Sequence, residues 1–591
     1  MNVVMDGLAV LSYQAWTVFS ILIMVVWGQI VFIFLLKKIS KNQLTNSDYI
    51  SLGMAGWILP VFLLSVLIFV GEMLFGKIAG TLLSVLALVA LPFILFRWKL
   101  DRTSLPAGFA FVFALVISIV LRLAFLKNMV LPAYFDSAEH YRIIKYFVGL
   151  YELPVNDLPL TNYYHVGFHF LSATISDIFH LGIVDTMLVL GQVILAVLPL
   201  SLFFIVKQET GSSAVAAFAC LLAGFGWHMP SHVMDWGKYP ALLSLVGIHF
   251  VLNIGCLMYR NDRFKFERHA LYWLLSFGIL VSTLVHTRSL IVFVFMGASL
   301  LLTVLQKRLP TFPRRLVFSI LLLILTVEVA FVQNSSLLAL LFGTYSGRDI
   351  FITGLVLFLF IFSAYIFTDL TFFFLAAFSL MLAGLFLPVT GWLGYGSLTL
   401  LDRPYVQMLI YLPLSVFGGL GLAGLNRSMQ RFSFRLKPSP HWVAFLFFGF
   451  VILNAVVNYD FYPSDCCQIV SYDDLATLQW MDNTLSPDAN ILIASTDLIV
   501  TSLEAADTLA GVDGGIWIAP MISRRIIPAR GNLKFDQLEV HAEICRRGAD
   551  YIYVGGMPQS FDGHQLEMIK DWYQVVFSLP RAKVYQLIGC P

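Results

Sequence analysis

The sequence predicts a polytopic α-helical membrane protein of about fourteen spans, ending in a small soluble α/β domain, and three observations carry that reading. Of 591 residues, 59% are hydrophobic and only 12% charged, about half the charge that covers a soluble surface. Apolar runs of about 20 residues, enough to cross about 30 Å of hydrocarbon at 1.5 Å rise per residue, recur through residues 1–457. Beyond them, residues 458–591 turn polar and alternate between helix-like and strand-like patterns. The net charge of +2 offers no basic excess of the kind nucleic acid requires, so no nucleic-acid partner is expected.

Spans are expected to begin near Tyr13, Ile50, Lys77, Ala107, Val184, Ser212, Tyr239, Ala270, Ser289, Leu316, Ile350, Asp369, Pro404 and His441, with those near Ser212 and Ala270 the shortest. No cationic segment precedes the first and no small-residue cleavage site follows it, which predicts a retained helix. Lys and Arg set the orientation. Placing the N-terminus outside puts about 19 of them in inner loops: Lys37, Lys38 and Lys41; Arg97, Lys99 and Arg102; Lys207; Arg260, Arg263, Lys265 and Arg268; Lys307, Arg308, Arg314 and Arg315; Arg427, Arg431, Arg435 and Lys437. About 5 fall in short outer loops. The bias predicts a multi-pass plasma-membrane protein whose N-terminus, residues 127–185 and C-terminal domain are extracytoplasmic.

The 127–185 loop is too long for a turn. Asp136 to Leu150 interleaves Tyr141, Ile144 and Phe147 with Glu139, Arg142 and Lys145, the pattern of a helix lying in the interface. Pro154 and Pro159 break it. A second such helix is expected from Tyr164 to Leu181.

In the soluble domain the patterns predict helices over Asp473–Met481 and Leu538–Arg547, the latter with Gly548 past its end. Strands are expected over Asn490–Ala494 and Tyr551–Val554, then a hairpin of Tyr573–Phe577 and Lys583–Leu587 through Pro580. No Gly-rich phosphate loop is present. Cys220 and Cys256 fall in spans, as small hydrophobes. Cys466, Cys467, Cys545 and Cys590 allow one or two disulfides tying the C-terminus to the membrane-proximal start of the domain, with the pairing open.

Ionisable residues at a membrane are costly, so their clusters point to function. Tyr134-Phe135-Asp136-Ser137-Ala138-Glu139-His140 opens the first interfacial helix. Asp136 and Glu139 have the spacing of a helix-capping box; the same carboxylates at a surface suit proton transfer, with Asp136 as general base and Glu139 or His140 as a second group. Of the 12 histidines, His140, His165, His169, His180, His228, His232 and His286 map to outer segments. His165 and His169 have the four-residue spacing of metal ligands, so a divalent metal is possible, although no Glu follows His165 as in the zinc-peptidase motif. The segment 227–240 carries His228, His232, Asp235 and Lys238 among tryptophans. An aromatic belt with a snorkelling Lys238 explains the tryptophans but not His228, His232 and Asp235 together, and the whole polar set suits substrate binding. Arg288 and Arg403 sit at outer span ends, Arg348 less securely; each is either a headgroup anchor or a ligand for a phosphate, which Arg grips through two N–H groups.

Taken together these features resemble the C-type superfold of integral membrane glycosyltransferases, which includes oligosaccharyltransferases, protein mannosyltransferases and arabinosyltransferases. The resemblance implies transfer of a sugar from a polyprenyl-phosphate-linked donor to a glycan, lipid or protein acceptor, with inversion. An acidic residue in the first large outer loop would act as base; Phe135-Asp136-Ser137-Ala138-Glu139-His140 matches that position, and Arg403 matches the arginine that meets the lipid phosphate. The sequence departs from the pattern in three ways. The acid follows the fourth span rather than the first, no Asp-x-Asp is present, and the soluble domain shows no acceptor-recognition motif. A lipid or polysaccharide transporter, to which Glu328 inside an apolar segment points, and a non-catalytic assembly scaffold are the competing expectations.

Overall fold

The computed structural model describes residues 2–590 apart from 41–42, 77–79, 88, 91–104, 151–164, 261–266, 332–335, 387–398, 432–439 and 501–507. Outside the described residues lie much of the expected span after Lys77, the helix breakers Pro154 and Pro159, and eight of the basic loop residues: Lys41, Arg97, Lys99, Arg102, Arg263, Lys265, Arg435 and Lys437.

Among the described residues, nine helices are long and apolar enough to cross a membrane, or ten if a pair bent by 92° before Ile350 is one span. The nine correspond to the runs expected from Tyr13, Ile50, Ala107, Val184, Tyr239, Ala270, Ser289, Asp369 and Pro404. The run from Ser212 gives only Ser213–Phe225, too short to span alone. Burial grades them. The segments Ile183–Thr210, Tyr239–Tyr259 and Arg403–Gln430 are 94%, 83% and 89% buried and form the centre. Arg268–Val285 is 28% buried, and outward side chains such as Trp273 and Leu280 stay exposed, the arrangement of a helix whose outer face meets lipid rather than water.

The two ends of the bundle differ in how their charges are held. At one, Lys207 pairs with Asp48 at 3.1 Å, Lys307 with Asp369 at 2.9 Å and Arg260 with Glu209, while Arg427 donates to the Thr210 carbonyl; all four cations belong to the predicted inner set. At the other, Lys127 pairs with Asp6 at 2.5 Å and Tyr462 donates to the same carboxylate at 2.6 Å. The N-terminus, the 127–150 segment and the start of the C-terminal domain thus share one end.

The helices that bear on the site are α1 (Leu105–Leu123), α2 (Asp136–Leu150), α3 (Gly167–Phe179), α4 (Tyr239–Tyr259), α5 (Arg288–Lys307) and α6 (Arg403–Leu409). The first interfacial helix matches the expected bounds. The second starts three residues late and ends with His180 in the left-handed conformation, φ 51°.

In the C-terminal domain, α7 (Tyr472–Thr484) and α8 (Leu538–Arg546) pack with six strands: β1 (Asn490–Val500), β2 (Thr508–Gly511), β3 (Arg525–Arg530), β4 (Tyr551–Val554), β5 (Tyr573–Ser578) and β6 (Lys583–Leu587). The order is β2-β1-β4-β6-β5, with β3 also paired to β1. Parallel β3–β1–β4 pairing passes into the antiparallel hairpin β5–β6. β2 and β3 were not expected. Pro528 argues against a strand in β3, which is tolerated beside the end of the parallel set. Both faces of β1 are buried: Leu492 and Ala494 join a core with α8, Ile491 and Ile493 a core with α7. The second core also takes Leu131 and Ala138 from the outer loop. Tyr141 packs edge-on to Trp517 at 5.6 Å and Lys145 donates to the carbonyls of Pro520 and Met521. The domain is therefore docked on α2.

The disulfides differ from expectation. Cys545–Cys590 ties the C-terminus to α8, and Cys466–Cys467 links neighbours, so neither joins the C-terminus to the start of the domain. The antiparallel β5–β6 hairpin delivers the chain end beside α8, whereas Cys466 and Cys467 lie where Tyr134 N–H reaches the Cys467 carbonyl.

Candidate functional site

A cavity of about 370 Å³ opens where α2, the turn before α4, the turn before α5 and α6 meet. Its lining includes Asp136, Glu139 and His140 from α2, His165 ahead of α3, Lys238 ahead of α4, and Arg288 at the start of α5. These six were all expected at the site. His286, Asp402 and Tyr405 complete its polar wall.

Local backbone conformation places the central pair. Tyr134 adopts φ 64°, unfavourable for a bulky side chain, and the turn it makes, held by Tyr134 N–H to the Cys467 carbonyl, puts Asp136 first in α2. Opposite it, Gly237 has φ 62°, and a Cβ there would lie 2.9 Å from the Ala133 carbonyl oxygen and 3.1 Å from Ser137 N. Only glycine satisfies both the conformation and the close approach. Lys238 then reaches Asp136 in an ion pair, with its own side chain 36% exposed and the carboxylate 11%. Glu139 accepts two hydrogen bonds from Arg142, 2.8 and 3.0 Å, a bidentate clasp within one helical turn.

Across the cavity Arg288 pairs with Asp402 at 3.2 Å, both groups more than a third exposed. His286 stacks on Tyr405 at 4.7 Å and meets the His165 ring, tilted by 45°, at 4.2 Å, and the Tyr405 hydroxyl meets Ser244 and Ser289 at 3.1 and 3.0 Å. His140 Nδ1 and His169 Nε2 are 2.9 Å apart. Burial, then nearby cations and histidines, holds His140, His169 and His286 well below the ordinary imidazole range. Burial and then the charges of Arg288 and Lys238 lower His165 to about 3. These imidazoles are neutral at pH 7, so the mobile positive charge on the lining belongs to Lys238 and Arg288.

Several expectations are corrected. His165 precedes α3, so it does not share a helical face with His169; its ring lies against His286, and His169 turns to His140. Among the described residues, one cluster of three metal-type ligands gathers, His541 with Cys545 and Cys590, and both of its sulfurs are in the disulfide. Arg403 is off the cavity lining: it lies over the Trp236 ring at 5.5 Å and donates to Gln407 at 3.2 Å. Arg288 is on the lining. His228, His232 and Asp235 line a separate cavity of about 130 Å³ on the other side of the 227–240 segment. There His228 pairs with Asp349 at 2.6 Å and His232 with Asp235 at 2.7 Å. Trp227 is fully buried and donates to Thr353, so it is no interfacial anchor. Glu328 touches neither cavity and accepts from Ser379 at 2.9 Å.

The sequence reading passed over Tyr405, Asp402 and Arg122. Arg122 carried a signal, being an arginine within an apolar span at the end where positive charge is scarce; Tyr405 resembles any interfacial aromatic. Compared with known proteins, the sequence matches no family model and no curated relative.

Proposed function

We propose that the protein is a membrane glycosyltransferase of the C-type superfold that moves a sugar from a polyprenyl-phosphate-linked donor to an acceptor hydroxyl on the extracytoplasmic face. In this reading the chain crosses the membrane about fourteen times. The observation that carries the proposal is the juxtaposition of one carboxylate, Asp136, with two partly exposed cations, Lys238 and Arg288, around a single 370 Å³ cavity at the end of the bundle where the C-terminal domain docks.

The chemistry asks for those parts. The acceptor oxygen must lose its proton as it attacks the anomeric carbon, and the departing phosphate must meet positive charge. Asp136 takes the proton, the acceptor hydroxyl competing with Lys238 for the carboxylate. As the C–O bond to the donor phosphate breaks, the electron pair stays on the phosphate, which Arg288 and the released Lys238 hold. The neutral histidines orient sugar hydroxyls without adding charge. Trp236, with Arg403 behind its ring, offers an apolar face to the sugar or the lipid.

Purified protein incubated with radiolabelled polyprenyl-phosphate sugars and membrane-extracted acceptors tests the proposal. Transfer by the natural sequence and its loss in Asp136→Asn support it. Undiminished transfer by that variant removes Asp136 from the mechanism, and vectorial movement of the lipid without covalent transfer favours a transporter.

A further inference from the structure

One side-chain cluster outside both cavities carries metal-ligand chemistry. His541 and Cys545 lie four residues apart on α8, so they share one face of that helix. After β6 the chain turns through Gly589, at φ 69°, and sets Cys590 against the same face, in the disulfide with Cys545. The donor atoms of the three residues lie within 4.8 Å of one another. His541 Nε2 is 3.7 Å from Cys545 Sγ and 3.4 Å from the Gly589 carbonyl oxygen. The imidazole is held in this orientation by its packing: it is buried, stacked on Trp572 at 4.7 Å and met edge-on by Tyr573 at 5.5 Å.

The pair of sulfurs is open to reduction. Cys545 is half-buried and Cys590 exposed, and exposed disulfides are the labile ones. A dithiol attacking Cys590 Sγ forms a mixed disulfide there and expels Cys545 as a thiolate beside His541. The second thiol of the reductant then closes its own disulfide and releases Cys590. Two electrons and two protons pass from the dithiol to the two cysteines, which become thiols. Zinc takes sulfur at about 2.3 Å and imidazole nitrogen at about 2.0–2.1 Å, so a shared tetrahedral ion sets nitrogen and sulfur about 3.6 Å apart and two sulfurs about 3.8 Å apart. His541 Nε2 and Cys545 Sγ already stand at 3.7 Å. The Cα atoms of Cys545 and Cys590 are 5.6 Å apart, which lets the freed sulfurs separate by side-chain rotation.

We propose that the reduced C-terminal domain binds one thiophilic divalent cation, zinc by its ligand chemistry, through His541 Nε2, Cys545 Sγ and Cys590 Sγ, with water in the fourth position. Binding displaces the two thiol protons to solvent. The segment after β6 is then tied to α8 in both redox states, by the disulfide in one and by the ion in the other. The inference is independent of sugar transfer, because the cluster sits with α8, on the face of the sheet opposite the core that includes Leu131 and Ala138.

Cobalt(II), whose absorption reports thiolate ligands and tetrahedral geometry, tests it. Full-length protein in detergent is reduced with a phosphine, freed of it under argon, and titrated with cobalt and then zinc. Saturation at one cobalt per chain is expected, with zinc displacing it, and the unreduced protein should bind neither. Joint Cys466→Ser and Cys467→Ser substitution, which removes the other reducible pair, should leave binding unchanged. His541→Ala should weaken binding by more than the about tenfold that losing a mere supporting partner costs, and Cys590→Ser should abolish the thiolate spectrum. Should His541→Ala fail to fold, Cys590→Ser, a change at an exposed side chain, decides. Resistance of Cys545–Cys590 to the phosphine, no cobalt–thiolate absorption after reduction, or a spectrum unchanged in Cys590→Ser overturns the proposal.

Discussion

The two cavities flank one segment, residues 227–240, yet treat charge in opposite ways. In the larger, carboxylates and cations pair across elements, and Lys238, Arg288 and Asp402 keep more than a third of their side-chain surface open. The Arg288–Asp402 pair exchanges at little net cost, because exposed ion pairs contribute only about 0–1 kcal/mol. In the smaller, the carboxylates are held by neighbouring donors. The first arrangement suits a site whose partners change during a reaction. The second is a fixed network whose charges keep their partners.

The sharpest way to break this contrast is Asp136→Asn, which keeps the shape and removes the base. Sugar transfer should fall by about 10²–10⁴-fold, the usual worth of a positioned general base, with little change in thermal stability; equal loss in Asp235→Asn would mean the two cavities act as one. Gly237→Ala comes next. The added Cβ meets α2 at the Ala133 carbonyl, in a conformation alanine resists, so Lys238 and Asp136 should separate by about 1 Å and the turnover rate drop about 10²-fold. Donor KM and kcat measured on the purified variant distinguish this from simple unfolding.

How much of this was legible beforehand differs between the regions for physical reasons. Hydropathy fixes spans locally, so nine of the expected runs reappear as span-length helices, and the α2 bounds follow from a pattern of its own residues. The placement of Asp136, His140, His165, Lys238 and Arg288 on one cavity was guessable from their common membrane end. What could not be read was the division of 227–240 between two faces: His232, Asp235 and Lys238 are neighbours in sequence, but a short 3-10 turn at Ser231–Met234 and the positive φ of Gly237 send them to opposite sides. β3 was hidden by Pro528, and the end of the disulfide to Cys590 depends on strand order, which no local pattern contains.

Arginine specificity sharpens the comparison further. Arg288→Ala should raise donor KM about tenfold or more, because it removes a charge facing the open volume. Arg403→Ala, which withdraws only the cation behind Trp236, should change it about threefold, the scale of an exposed cation–π contact. Reversal of that order would restore Arg403 as the phosphate ligand.

The pH response separates the bundle from the C-terminal domain. His140, His165, His169 and His286 are held neutral in the folded state, so the unfolded chain binds their protons first: the stability they contribute is complete above about pH 6.5 and declines as pH falls toward their folded values, about 3 for His165. Asp513, buried and raised to about 6 chiefly by that burial, acts in reverse; its contribution is full below the ordinary carboxylate value of 3.8 and is lost as pH rises through 6. Four groups against one predict that Tm falls between pH 7 and pH 5. A flat or rising Tm would mean that the histidines gain solvent or anionic partners on protonation.

Glu139 gives the smallest expected effect and the closest test of what exchangeability means. It lines the larger cavity beside Asp136, and the sequence offers it as a second acid–base group one turn along. Their partners differ. Asp136 is met by a single lysine from another element, whereas Arg142 holds both oxygens of Glu139 through a planar fork one turn away on the same helix. Withdrawing a carboxylate from a bidentate clasp forfeits two charge-assisted hydrogen bonds, and substrate would have to replace both. Glu139→Gln, which keeps one acceptor oxygen for Arg142, should therefore lower sugar transfer less than about fivefold and leave its pH profile unmoved, an activity loss of under about 1 kcal/mol. A loss approaching that of Asp136→Asn would place the proton transfer on both carboxylates and make Arg142, rather than Lys238, the cation that must let go.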